Sequence, residues 1–133
     1  MKHAIYALLA LCLVVSASPY AKAQDDRLII ISPITGDKVQ VALQDLGEMN
    51  WYDAKKACAN LGSDWRLPTK EELEVMYKKL HLNGKGNFAK NRYYWSSTEA
   101  DASFAWGVLI AYGNADSNYK SIYFRVRAVR SLD

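Results

Sequence analysis

The stretch WRLPTKEEL, residues 65–73, predicts a loop that leads into an α-helix. Pro68 disfavours a helical backbone at the residue before it, so the chain reaches Thr69 in an extended conformation. Thr69 is a favourable N-cap residue, and Glu72, three positions later, can complete a capping box. We therefore expect a helix to begin at Lys70.

The residues that follow give this helix one apolar face. Apolar side chains recur at helical spacing and form a single stripe that consists of Leu73, Met76, Tyr77 and Leu80. Charged side chains occupy the opposite side. The apolar side must therefore pack against the rest of the domain.

An earlier helix is predicted from Trp51 to about Leu61, with Asn50 as its N-cap and Gly62 as the residue that ends it. Its apolar stripe includes Trp51, Cys58 and Leu61. A buried, structural thiol fits this position of Cys58. A reactive thiol is the alternative, but it lacks the adjacent histidine or cationic helix start that would lower its pKa.

The remaining segments alternate as β-strands do. Residues 28–31 and 38–43 predict two strands that pair as a hairpin, with Val39, Val41 and Leu43 on one face. From Arg92 onward the period is two, which predicts strands at 93–97, 104–112 and 119–129, a loop at 98–103 and a turn at 113–118. The expected one-face sets in the last two strands are Trp106, Val108 and Ile110, then Ile122, Phe124, Val126 and Ala128. Two early helices and a late antiparallel meander predict an α+β domain.

The first residues predict a signal peptide. An apolar run occupies residues 4–17, and Ala21-Lys22-Ala23 is the small-x-small pattern that signal peptidase cleaves. A lipidated Cys12 is the weaker alternative, because Leu11 is a poor residue before a lipidated cysteine. The run is too short for a transmembrane segment, which needs about 20 residues. We divide the chain into a signal peptide (1–23), lead-in strands (24–48) and a main domain (49–133), and expect an exported protein, periplasmic or extracellular.

Cleavage after Ala23 changes the composition. It removes two lysines and no acidic residue, so the formal net charge falls from +3 to +1. No nucleic-acid partner is indicated by so small a charge. Cys58 is then the one remaining cysteine, which excludes an intramolecular disulfide.

Several motifs taken together resemble the DUF1566, or Lcl C-terminal domain, family of exported bacterial proteins. They lie between Met49 and Ser131 and comprise NWYDA at 50–54, Cys58, LGSDWRLPT at 61–69, Glu72-Leu73, YWSST at 94–98, Ala105-Trp106, Gly113, Lys120 and VRAVR at 126–130. The resemblance implies a C-type-lectin-like fold, related to the formylglycine-generating-enzyme-like group, in which two helices pack on a small twisted antiparallel sheet. Before the first helix the chain departs from the family pattern, since many members carry Gly-Leu-x-Trp where residues 41–47 read VALQDLG.

The same resemblance implies a binding function. One relative is the C-terminal domain of a bacterial collagen-like adhesin that recognises sulfated glycans, and others are surface proteins diversified by retroelements in the C-terminal stretch. The corresponding stretch here, Glu99 to Tyr123, is rich in Tyr, Asn, Ser, Asp and Ala. Recognition loops favour this composition.

We predict that ligand contacts lie in and around one turn of this stretch. The candidates combine aromatic bodies with polar tips and are Tyr112, Asn114, Asp116, Asn118, Tyr119, Lys120, Tyr123 and Arg125. Lys120 and Arg125 would attract sulfate. A solvated turn without a ligand is the structural alternative. Core or structural roles are expected instead for Trp65, Trp95, Trp106, Arg66, Arg127 and Arg130.

The sequence offers no convincing catalytic set. Ser96 and Ser97 are possible nucleophiles, but His81, the sole histidine left after cleavage, is distant in sequence and fits the end of a helix. The formylglycine-generating relatives use a pair of cysteines, and only Cys58 remains here. An enzyme is therefore disfavoured.

Metal binding is disfavoured as well. Asn114, Asp116 and Asn118 alternate like the start of a calcium loop. Tyr119 and Arg125 then stand where an EF-hand requires a glycine and a bidentate acid. We expect no metal site and no cofactor.

Together these observations predict an exported, non-enzymatic recognition module. Its partner would be a glycan, sulfated or neutral, or a protein. A structural or accessory subunit of an envelope assembly is the alternative, and an enzyme of unknown chemistry is the least favoured one. The oligomeric state stays open.

Overall fold

The computed structural model describes residues 26–132, and the predicted signal peptide, its cleavage site and Cys12 lie outside them. The described elements, in chain order, are β1 (Leu28–Ile31), β2 (Lys38–Val41), β3 (Glu48–Met49), α1 (Trp51–Ala59), α2 (Lys70–Lys79), a 3-10 helix (His81–Asn83), β4 (Tyr93–Glu99), β5 (Phe104–Leu109), β6 (Asn114–Tyr119), β7 (Phe124–Arg125) and β8 (Val129–Leu132). Neither α-helix in this part of the chain has the length and apolar character needed to cross a membrane.

Helix α2 begins at Lys70, as the capping box predicted. The Glu72 backbone N–H donates to Thr69 Oγ1 at 3.1 Å, and the Thr69 N–H donates to Glu72 Oε1 at 2.9 Å. The predicted apolar stripe faces the core, with Leu73 and Met76 fully buried. The chain before the helix is anchored too, because the backbone of Arg66 pairs with β8.

Helix α1 begins after Asn50, whose side chain accepts from the Asp53 N–H at 2.9 Å, as predicted. It ends at Ala59, earlier than the predicted Leu61. The N–H groups of Leu61 and Gly62 bond carbonyls three residues back rather than four, so the last turn tightens and the helix stops. Leu61 is consequently exposed and does not join the apolar stripe.

Two sheets organise the domain. The first has strand order β1-β2-β8 and contains the predicted hairpin, with Ile30 opposite Val39. The second has order β3-β7-β4-β5-β6 and is antiparallel except for one parallel pairing, at which Tyr94 of β4 lies opposite Arg125 of β7. Strand β2 ends at Val41 rather than at residue 43, so Leu43 is exposed instead of buried with Val39.

The predicted turn at 113–118 is wrong, because residues 114–118 lie in the edge strand β6. They pair with β5 from Leu109 opposite Asn114 to Phe104 opposite Tyr119. The actual turn ends at Gly113, whose N–H donates to the Leu109 carbonyl at 2.8 Å and whose φ of +76° suits glycine. Polar side chains are tolerated in β6 because an edge strand has one side open to solvent.

The predicted long strand at 119–129 is also wrong, since β7 and β8 belong to different sheets. Between β7 and β8, the backbone forms hydrogen bonds with residues 42–47. The Val126 carbonyl accepts from the Leu46 N–H at 2.8 Å, and the Ala128 carbonyl accepts from the Ala42 N–H at 2.9 Å. This pairing turns the chain from one sheet to the other. Of the four residues expected on one face, Val126 and Ala128 are buried, Phe124 is half-buried and Ile122 is exposed. The strand predicted at 104–112 ends at Leu109, and the one predicted at 93–97 extends to Glu99.

Two clusters of buried side chains share the five-stranded sheet. One packs α2 against the sheet face that carries Tyr94, Val108 and Ile110. The other packs α1 against the opposite face, where it contains Trp95 and Ala105. The two α-helices therefore sit on opposite faces of the sheet, and α1 covers only the Trp95 end of its face.

The ionisation of Glu72 makes the free energy of unfolding depend on pH in the acid range. Burial raises its pKa, but hydrogen bonds from Arg66 and from the Thr69 N–H outweigh burial and hold the pKa below its ordinary value of 4.5. The stabilisation is present above pH 4.5 and disappears as the pH falls through the lower, folded-state pKa. We expect urea unfolding between about pH 5 and pH 3 to show a steeper loss of stability for the native sequence than for Glu72→Gln. Glu74→Gln is the matched control, and equal slopes for all three proteins would contradict this assignment.

Cys58 is fully buried on the inner face of α1, and burial raises the pKa of its thiol to about 12. This agrees with the structural interpretation of the residue. We expect an aromatic disulfide reagent at about pH 8 to label the folded chain at least about 100-fold more slowly than the urea-unfolded chain. Comparable labelling rates in the two states would show an accessible thiol.

Candidate functional site

On the face of the five-stranded sheet that α1 covers in part, the uncovered end carries Tyr93, Asn114, Asp116, Asn118 and Phe124. We call these residues the tyrosine face, together with Tyr123, which lines a groove beside Tyr93 and Phe124. Side chains directly opposite each other in paired strands share a face, and alternate residues of a strand do so too. Tyr93 lies opposite Leu109, and Asp116 lies opposite Gly107. Leu109 and Gly107 are alternate residues of β5, so their strand partners point to the same face. The three polar residues of β6 therefore share the face of Tyr93 and Trp95.

Gly107 makes room for the centre of this face. A Cβ atom at this position would lie 2.8 Å from Phe124 Cε2, so only glycine lets the Phe124 ring lie over β5. Tyr93 stacks on Phe124 with ring centroids 4.9 Å apart and planes 16° apart. Trp95, fully buried, contacts the same ring with centroids 4.5 Å apart. The surface aromatics thus rest directly on the core.

Tyr93 is also fixed at its polar end. Its hydroxyl donates to Asp116 Oδ2 at 2.6 Å. This hydrogen bond is the main reason that the pKa of Tyr93 lies above its usual value of 10.0. Asn114 Nδ2 reaches the same oxygen at 3.4 Å, and the hydrogen bonds of the described residues leave Asp116 Oδ1 free to accept another donor.

A shallow groove of about 330 Å³ adjoins the stacked rings. Its lining residues are Glu48, Asn91, Arg92, Tyr93, Tyr123, Phe124 and Arg125. Arg92 Nε lies 3.8 Å from Glu48 Oε1, and Arg125 Nη2 lies 3.0 Å from Asp45 Oδ2. The groove thus joins exposed aromatic surface to cations that already have acidic neighbours.

Lys120 does not lie at the surface, contrary to the sequence prediction. It is 4% exposed, and its Nζ donates to Glu99 Oε2 at 2.6 Å and to the Ala102 carbonyl at 2.9 Å. The same ammonium lies 4.5 Å from the Trp51 ring centroid. Lys120 therefore holds the loop after β4 in place, and the hydrogen bond that it donates lowers the pKa of Glu99.

The other predicted candidates divide between several places. Arg125 is half-buried, and its hydrogen bond to Asp45 raises the pKa of the guanidinium. Tyr119 points to the opposite face of β6, where its ring packs on Phe104 with centroids 4.3 Å apart. Tyr112 lies in the turn before β6 and is 72% exposed. The structure brings together Asn114, Asp116 and Asn118 along β6, and Tyr123 with Arg125 at the groove.

Sequence reasoning missed five contributors to this site, namely Glu48, Asn91, Arg92, Tyr93 and Phe124. A signal for Tyr93 was available, because a strand whose Tyr94 is buried must turn Tyr93 to the other face. No comparable signal pointed to Phe124, since its place depends on the absent side chain at Gly107.

The predicted buried core position agrees with the geometry for Trp95 and not for Trp65 and Trp106, while the predicted structural roles of the arginines agree with their contacts. Trp95 and Arg127 are buried. Trp65 and Trp106 are half-buried, and each ring carries a cation, Arg130 at 5.1 Å and Lys70 at 4.3 Å from the centroid. Arg66 makes two hydrogen bonds to the carboxylate of Glu72, at 2.7 and 3.0 Å.

Residues 23–130 match the Lcl C-terminal domain. The chain belongs to the Lcl C-terminal domain family. The match includes the segment that forms β1 and β2, and β2 pairs with both β1 and β8.

Solved structures show that the fold is C-type-lectin-like, as the resemblance implied. Botrocetin aligns with a TM-score of 0.54 at 11% identity, covering 84% of this chain and 100% of botrocetin. EMS16, an antagonist of the collagen receptor integrin alpha2beta1, aligns with a TM-score of 0.54 at 12% identity and the same coverage. A chain from a complex of a mutant von Willebrand factor A1 domain with botrocetin aligns at 0.50 and 12% identity, again over 84% of this chain and all of the other. No curated protein matches the chain.

Ser96 and His81, two of the side chains considered for catalysis, make contacts within the fold. Ser96 is buried and its hydroxyl donates to the Trp106 carbonyl at 2.6 Å. His81 stacks on Tyr77 at a centroid distance of 6.1 Å. Within residues 26–132, no group of three or more His, Cys, Asp or Glu side chains is placed to hold a metal ion.

Proposed function

We propose that this Lcl C-terminal domain is an exported, non-enzymatic recognition module that binds its partner through the tyrosine face. One observation carries the proposal: an uncovered sheet end holds aromatic rings that rest on the core beside a row of short polar side chains. Recognition surfaces favour this combination, because tyrosine supplies contact area at low conformational cost while short polar groups supply hydrogen bonds.

The rigidity of the face supports binding. Tyr93 is held by Phe124 on its ring and by Asp116 at its hydroxyl, so little side-chain freedom remains to be lost on association. Tyr123 is 63% exposed at the groove and offers the largest free ring area of the face. Asn114, Asp116 and Asn118 follow at spacings of about 6.6 Å along β6.

Export is part of the proposal and rests on the first 23 residues. The apolar run at 4–17 and the Ala21-Lys22-Ala23 pattern support cleavage before Gln24. Mass spectrometry of the protein recovered from cell-envelope and culture fractions should give Gln24 as the first residue. An intact Met1 in those fractions would contradict cleavage.

A glycan is the first candidate for the partner of this face, and a protein is the second. The C-type-lectin-like neighbours favour a protein. EMS16 is an antagonist of an integrin, and botrocetin is found in complex with a von Willebrand factor A1 domain. The same fold thus supports protein recognition in those molecules.

Immobilised cell-envelope material tests the proposed function. Residues 24–133 would be passed over one surface that carries envelope polysaccharide and another that carries envelope protein. We expect retention on at least one surface, and we expect Tyr123→Ala to reduce the affinity about tenfold or more, as loss of an aromatic anchor does. Tyr119→Ala is the matched control, because it removes a tyrosine of 59% exposure from the opposite face.

Two results would count against the proposal. Retention that is unchanged by Tyr123→Ala would remove the tyrosine face from recognition. Absence of retention on both surfaces would favour the structural or accessory role instead.

A further inference from the structure

We infer that the tyrosine face binds a neutral saccharide and does so without a metal ion. The inference rests on the proposed function and specifies the ligand of the same site. Neither the family match nor the structural neighbours assign a ligand to these residues.

The charges around the face disfavour a sulfated ligand. Lys120, one of the two cations expected to bind sulfate, is buried against Glu99. Arg125, the other, pairs with Asp45 and also lies 3.9 Å from Glu48.

The remaining cation at the groove is Arg92, whose Nε lies 3.8 Å from Glu48, the carboxylate that Arg125 also faces. A sulfate at the groove would therefore compete with existing carboxylates, and it would also approach Asp116, which adds a negative charge to the face. A ligand without charge avoids this repulsion and loses no ionic hydration on binding.

The polar groups of the face suit hydroxyl groups. A hydroxyl both donates and accepts hydrogen bonds, and an amide side chain offers both complementary functions. Asn114 and Asn118 supply two such amides on β6, and Asp116 Oδ1 is a charged acceptor between them. A carboxylate that accepts from a neutral hydroxyl forms one of the stronger kinds of hydrogen bond.

The aromatic groups suit the other surface of a sugar ring. Tyr123 is exposed, and Tyr93 is half-buried with its ring held parallel to Phe124. The negative face of a tyrosine ring attracts the weakly positive C–H groups that one side of a pyranose ring presents. Tyr93 joins the stacking surface of the groove to the polar row, because its hydroxyl donates to Asp116 at 2.6 Å.

The composition of the site favours a saccharide over a protein. A stable protein interface has an apolar centre in which charged residues are depleted. The row beside the groove consists of Asn and Asp rather than large apolar side chains. These short polar groups match the hydroxyl groups of an oligosaccharide.

The face and its groove hold one carboxylate each, and both already have a neighbouring donor or cation, which supports metal-independent binding. Asp116 accepts the Tyr93 hydroxyl, and Glu48 lies beside Arg92 and Arg125. A calcium site would require several oxygen ligands converging within about 2.3–2.6 Å of one ion.

An array of neutral oligosaccharides, each printed beside its sulfated counterpart, tests the inference on residues 24–133. We expect neutral members to bind at least as tightly as the sulfated ones, with affinity changing less than about twofold on adding chelator or raising salt. Tyr123→Ala and Asp116→Asn should each weaken binding about tenfold, whereas Tyr119→Ala should stay within about twofold of the native sequence. Urea unfolding of each variant separates lost binding from lost folding.

Each contrary result has a defined meaning. Tighter, salt-sensitive binding of the sulfated members, or loss of binding with chelator, would overturn the inference. Absence of binding to every saccharide would overturn it as well. In that case, retention on envelope protein that depends on Tyr123 would still support the proposed function. Absence of both saccharide binding and retention on envelope protein would overturn the inference and the proposed function.

Discussion

Replacing Arg127 with methionine is expected to lower the free energy of unfolding by about 3–5 kcal/mol, the range seen when one partner of a buried ion pair is removed. Arg127 is 1% exposed, and its Nε donates to Asp45 Oδ1 at 2.7 Å. Methionine fills much of the same volume but supplies no donor.

The guanidinium also bonds the backbone of two other segments, at residue 42 and at residues 86–87. Its Nη1 donates to the carbonyls of Ala42 at 3.0 Å and Gly86 at 2.7 Å, and its Nη2 donates to that of Asn87 at 3.3 Å. Phe88 packs on the other side, 4.4 Å from the guanidinium carbon to the ring centroid. Substitution removes this donor from the three carbonyls and from Asp45, whose side chain is 9% exposed, and loss of a donor to a largely buried carboxylate is expensive.

Urea unfolding followed by far-UV circular dichroism measures this effect. Arg92→Met is the matched control, because the Arg92 side chain is 60% exposed and its ion pair with Glu48 is long, so a change within about 1 kcal/mol is expected. Arg127→Lys should recover little of the loss, since an ammonium cannot reproduce the planar fork. A loss below about 1 kcal/mol for Arg127→Met would show that the network contributes little to stability.

Trp95→Ala should lower the free energy of unfolding by a similar amount, about 3–5 kcal/mol, as large aromatic-to-alanine changes in a core do. Trp95 is fully buried, its Nε1 donates to the Met49 carbonyl at 2.9 Å, and its ring contacts Phe124. The substitution leaves a cavity directly beneath the tyrosine face. We therefore expect binding to weaken even under conditions in which the variant is fully folded.

The same unfolding assay tests this prediction. Trp95→Phe keeps part of the ring volume but loses the indole donor, so a smaller loss of about 1–3 kcal/mol is expected. Tyr112→Ala, which alters a 72% exposed side chain, should change stability by less than about 0.5 kcal/mol. Equal losses for Trp95→Ala and Tyr112→Ala would contradict the assignment of Trp95 to the core.

Local signals predicted the helix starts well. The capping box of Thr69 and Glu72 and the cap at Asn50 involve residues three positions apart, so the atoms that decide each helix start are close in sequence. The hairpin of β1 and β2 is equally local. These features could be predicted because short-range chemistry determines them.

The strand errors have a long-range cause. The polar residues of β6 are typical of a turn, and they form a strand because β5 is available as a hydrogen-bonding partner. The segment 119–129 alternates like one strand, but the 42–47 segment bonds its middle and directs its ends into two sheets. Alternation reports which side chains are buried and does not report which strands pair.

The charged candidates failed for a related reason. Lys120 is followed closely by exposed residues, yet Glu99, 21 positions away, and Trp51 enclose its ammonium. Arg125 meets Asp45 across 80 positions. A cation is free to bind sulfate only if the fold brings it no carboxylate, and one sequence does not give that information.

The ratio of dissociation constants for Tyr123→Ala and Tyr119→Ala, measured against the best-bound oligosaccharide or envelope fraction, tests the role of the tyrosine face most directly. The two tyrosines have similar exposure, 63% and 59%, but lie on different surfaces. A ratio of about ten or more, with both variants fully folded, is the predicted result. A ratio near one, or a larger loss for Tyr119→Ala, would contradict recognition through this face.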